Sequence, residues 1–148
     1  MALLHSVMVV FHLLFAGAWT GSVVFVTWAV LPTARAGDVQ ARPLSSMVDR
    51  LVNLSRLSAV VMLVSGGVLA GELGGGLTST TEGWLVVAMV VLWLALTALV
   101  EVGASRLADG LDGDDVRSAA QRTTTLFQAA GVVALLLLVD AGLVAAAA

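Results

Sequence analysis

Residues 5–32 read HSVMVVFHLLFAGAWTGSVVFVTWAVLP and contain no Lys, Arg, Asp or Glu. An uncharged apolar run longer than the ~20 residues needed to cross hydrocarbon reads as a transmembrane helix. On that helix His5, His12 and Trp19 recur at i, i+7 and i+14 and fall on nearly one line, flanked by Met8 and Phe15. Gly17 and Gly21 form a small-xxx-small pair on another face, a pattern that admits close helix contact within a bundle or in a homo-oligomer. No basic region precedes the run and no polar break follows it, so a membrane span is expected rather than a cleaved signal peptide.

The rest of the chain repeats the theme. Its 148 residues are 59% hydrophobic and 11% charged, against ~45–50% and ~25% in soluble domains. Four apolar segments predict helices over about 2–31, 58–73, 82–104 and 119–147, within one domain spanning 1–148. Pro32 is expected to end the first, and Pro43 suits an earlier first turn for the second. All seven basic residues are Arg, and all fall in or beside the two expected loops, about 33–57 and 105–118. The connection GELGGGLTSTTEG has Glu72 and Glu82 and no basic residue. The positive-inside rule places both Arg-bearing loops in the cytoplasm and both termini outside. The expected fold is an all-α integral membrane protein: a four-helix up-down-up-down bundle, multi-pass in the plasma membrane with the lipid bilayer as its partner. Disulfides and thiolate metal sites are excluded because the chain has no Cys. Net charge −3 and the absence of Lys argue against nucleic-acid binding.

Polar groups inside spans are costly and tend to mark function. On the second helix Ser58, Ser65 and Glu72 are seven apart and share a face. The third has Met89, Trp93, Thr97 and Glu101; the fourth has Gln121, Thr125, Gln128 and Asp140. The topology places His5, Glu72 and Asp140 toward the outer side, with His12 and Met89 somewhat deeper. Glu101 lies toward the arginines and suits a structural ion pair. His is the commonest metal ligand. His5 and His12 are separated by about 10 Å along the axis and cannot both hold one haem iron. A haem b would need His12 with Met89, Met62, water or a second chain. A copper ion could use His12 or His5 with Met8 or Met89, because imidazole and thioether suit Cu(I). The candidate cofactor residues are thus His12, Trp19 and Met89; the candidate metal ligands are His12, His5, Met8, Asp140 and Glu72.

The stretch from His12 to Pro32, HLLFAGAWTGSVVFVTWAVLP, resembles the first helix of the CopD-like copper-resistance membrane domain. It is also similar to that of the related HemJ-type four-helix protoporphyrinogen oxidases. The resemblance implies a copper-handling or haem-b-associated membrane protein in which His12 is the functional histidine. It leaves three readings: a metal-binding protein of copper transport, resistance or electron transfer; a porphyrin oxidoreductase; or a non-catalytic accessory subunit.

Overall fold

A computed structural model describes residues 2–71, 78–113 and 115–147, and every long segment among them is helical. Helix α1 covers Ala2–Phe25, passes through a π-turn at Val26–Val30 and continues as α2 over Leu31–Ala36. Helices α3, Ala41–Gly71, α4, Thr81–Leu111, and α5, Val116–Ala147, follow. Four stretches of 31 to 34 residues are long and apolar enough to cross a membrane.

The expected boundaries change in a consistent direction. The helices are longer, and most of the arginine-bearing segments are helical rather than looped. The first helix passes Pro32 instead of stopping there. Proline lacks an N–H and its ring crowds the carbonyl four residues back. The turn before it is widened, with Leu31 N–H bonding Val26 O five residues back, which gives the ring room. The helix then ends at Gly37, whose φ of 86° closes a Schellman motif: Asp38 N–H reaches Thr33 O and Gly37 N–H reaches Ala34 O. Only residues 37–40 separate α2 from α3. Pro43 sits in the first turn of α3, as its chemistry allows.

The long helices pack as a ring: α1 on α3, α3 on α4, α4 on α5, and α5 back on α1. Trp19, Val23, Leu96, Val100 and Phe127 fill the middle; Leu31, Leu44, Leu107 and Ala120 fill the end that carries the arginines. At that end the Arg117 guanidinium lies against Gly37, so the α2–α3 turn adjoins the start of α5.

The close glycine contacts are not those expected. A Cβ at Gly17 or Gly21 would meet nothing within 4 Å among the described residues, so neither glycine makes a close helix contact there. The close approach is between α4 and α5 instead. A Cβ at Gly110 would stand 2.7 Å from Ala119 Cβ, and one at Gly103 would stand 3.2 Å from Phe127 Cε2. Outward-facing Leu, Val and Phe side chains cover much of the remaining surface, as a lipid-facing bundle requires.

Candidate functional site

The line of residues on α1 divides by burial. Trp19 is fully buried; Met8, His12 and Phe15 are half-buried; His5 is exposed. Helix α3 meets this line with Ser58, Met62 and Ser65, all buried on one face. The Ser65 Oγ lies 2.7 Å from the Val61 carbonyl and 2.9 Å from His12 Nδ1. A carbonyl can only accept and a hydroxyl has one proton. With that proton on the shorter contact, Nδ1–H donates to Ser65 and Nε2 keeps its lone pair. Gly66 completes the seat, because a Cβ there would lie 3.1 Å from His12 Cε1.

Beside this seat is a cavity of about 90 Å³, lined by His12, Trp19, Met62, Met89, Leu137 and Ala141 among others. The three expected cofactor residues thus share one cavity, joined by Met62. Small-molecule and cofactor pockets run ~300–1,000 Å³. The volume is below that range and suits a single ion with a water.

The wider ligand set is not gathered. His5, Met8 and Asp140 stand outside the cavity lining, and Glu72 lies outside the described residues. Among the described residues no three His, Asp or Glu side chains come close enough to hold a metal ion together. Asp140 is only 7% exposed, and its Oδ2 has no hydrogen-bond partner among the described residues. Its neighbours Leu137, Leu138 and Ala141 line the cavity. The indole N–H groups of Trp19 and Trp93 are also buried without partners among the described residues. Unpartnered buried donors and acceptors are uncommon and point to water or a ligand.

Elsewhere several polar side chains join one helix to another or cap an end. Arg56 and Glu101 form a two-pronged pair between α3 and α4, at 2.7 and 2.9 Å. Thr27 Oγ1 donates to the Phe127 carbonyl at 2.9 Å, tying the π-turn to α5. A Cβ at Gly131 would stand 2.8 Å from Trp28, so the same turn presses its tryptophan onto α5. Asp115, just before α5, accepts from the hydroxyl and the backbone N–H of Ser118, and these bonds hold its carboxyl below the usual range.

Sequence reasoning offered Met62 and Met89 only as alternative partners of His12, and it missed Ser65 as the anchor of His12. A heptad relation was visible for Ser58 and Ser65, but the register between α1 and α3 was not. No family model, curated protein or solved structure matches the chain.

Proposed function

We propose that the chain is a multi-pass plasma-membrane protein that binds one copper(I) ion at His12, in copper handling. The supporting observation is the shared cavity, which puts an imidazole with a free Nε2 lone pair beside two thioethers, Met62 and Met89. That donor set is soft and uncharged, matching Cu(I) rather than a hard divalent cation. When bound, the ion would supply a soft positive centre in an apolar layer. Ser65 orients the imidazole, Trp19 closes the wall, and its indole N–H offers a donor to a water carried with the ion.

The bundle runs up-down-up-down in this reading, with the Arg-rich end in the cytoplasm and both termini outside. Two observations favour it. Arg117 at the start of α5 reaches the Gly37 turn, and the arginines fall in the segments flanking the α2–α3 and α4–α5 turns. The site then lies in the outer half of the bilayer.

The competing reading is an accessory subunit in which His12 only pins α1 to α3. Titration of purified protein with Cu(I) against a chromophoric chelator separates the two. One equivalent retained by the native chain and lost in His12→Ala supports the metal site. No retention above the level of His12→Ala supports the accessory reading.

A further inference from the structure

A groove of about 450 Å³ runs between α1 and α3, on the face that Gly17 and Gly21 leave open. Phe25, Val30, Met47 and Leu54 line it, and Arg50 alone of its lining residues carries charge. Ser22 also lines it, but its hydroxyl donates to the Ala18 carbonyl at 2.7 Å and offers the groove no donor. No hydrogen bond or ion pair joins Arg50 to another side chain among the described residues.

Position along the bundle gives the groove a polarity. From Leu57 to Gly71, α3 has no charged residue, and Arg56, paired with Glu101, marks the end of that apolar stretch. Arg50 lies less than two turns beyond Arg56, and the other α3 lining residues Met47, Leu51 and Leu54 also lie beyond it. The His12–Ser65 contact sets Gly17 on the apolar side of that boundary and Gly21 level with it. The groove thus runs from the apolar stretch at Gly17 into the arginine-bearing end, where Arg50 supplies its one charge.

We propose that it holds an anionic phospholipid, with an acyl chain over Gly17 and Gly21 and the phosphate on Arg50. A planar guanidinium forms two parallel bonds to phosphate oxygens. A second copy of the chain is the other occupant that the glycine pair suggests. Two copies in one membrane would share the same orientation, and a two-fold contact through this face would bring both Arg50 side chains to one level. Like charges at that boundary oppose the dimer, whereas a phosphate neutralises the charge. The inference depends on membrane insertion and not on the copper reading.

Native mass spectrometry of the full chain in detergent, with phosphatidylglycerol or phosphatidylcholine of matched chains, tests it. The native chain should retain phosphatidylglycerol in preference. That preference should fall about fivefold in Arg50→Gln, the scale of one basic residue's attraction to an anionic surface. Arg106→Gln, a charge control, should keep the preference. Gly21→Leu, which fills the groove, should lower retention of both lipids. Equal preference in native and Arg50→Gln chains overturns the proposal. So does a native dimer that Gly21→Leu converts to monomer.

Discussion

His12 is held by one oxygen, and that bond can be removed without changing the apolar surroundings. Ser65→Ala leaves a half-buried Nδ1–H unpaired, which should cost about 1–2 kcal/mol in a denaturant or thermal melt. It should also mix the two imidazole tautomers, read from ¹⁵N shifts of labelled His12; an unmixed Nδ1–H signal would break the link between Ser65 and Nε2. Met89→Leu should weaken Cu(I) retention more than His5→Ala does, because Met89 lines the cavity and exposed His5 does not. Equal effects would move the site toward His5. The alignment of His12 with Trp19 was legible in the heptad spacing of one helix. The partners Ser65 and Gly66 were not, because which residue of α3 faces His12 depends on how two helices slide past each other, which no single-helix periodicity contains.

At the level of the helices, the informative features are where each one bends or stops. Gly37 has a positive φ that a Cβ resists, and the Arg117 guanidinium occupies the space a methyl would enter. Gly37→Ala should cost about 1–2 kcal/mol, seen as a lower melting temperature. Thr27→Val keeps the shape of the π-turn residue but deletes its bond to the Phe127 carbonyl, at about 1 kcal/mol. Asp115 gives a pH signature. Its folded carboxyl is held below the ordinary value by Ser118, so its contribution is present above that value and is lost as pH falls through the folded one. Asp115→Asn should therefore melt below the native chain at pH 6, and the difference should shrink as pH falls below the ordinary carboxylate range. A gap that persists in acid would assign the effect to something other than the carboxylate. The existence of four long helices was readable from apolar runs alone. Their ends were not: Pro32 reads as a stop unless a widened turn precedes it. The polar residues 41–57 read as a loop because their apolar positions, Leu44, Val48 and Leu51, are sparse enough to bury one narrow face.

Across the whole molecule, helices of about 46–51 Å exceed a hydrocarbon core of ~30 Å. The arginine-bearing end therefore projects from the bilayer as a continuation of the same bundle, packed around Leu31, Leu44 and Leu107. The chain has no cysteine, so single cysteines can report its orientation. A membrane-impermeant maleimide should label Ser79→Cys on intact cells and label Asp38→Cys only after permeabilisation. The reverse pattern would invert the bundle and put the His12 cavity near the cytoplasm.

The copper site is decided by stoichiometry at His12. Purified native chain, colourless and without a Soret band, should retain one Cu(I) per monomer against a competing chelator. His12→Ala should retain none, while Met62→Leu and Met89→Leu should each retain it more weakly. A haem Soret band lost in His12→Ala, or equal copper retention in native and His12→Ala chains, would refute a copper site in this cavity.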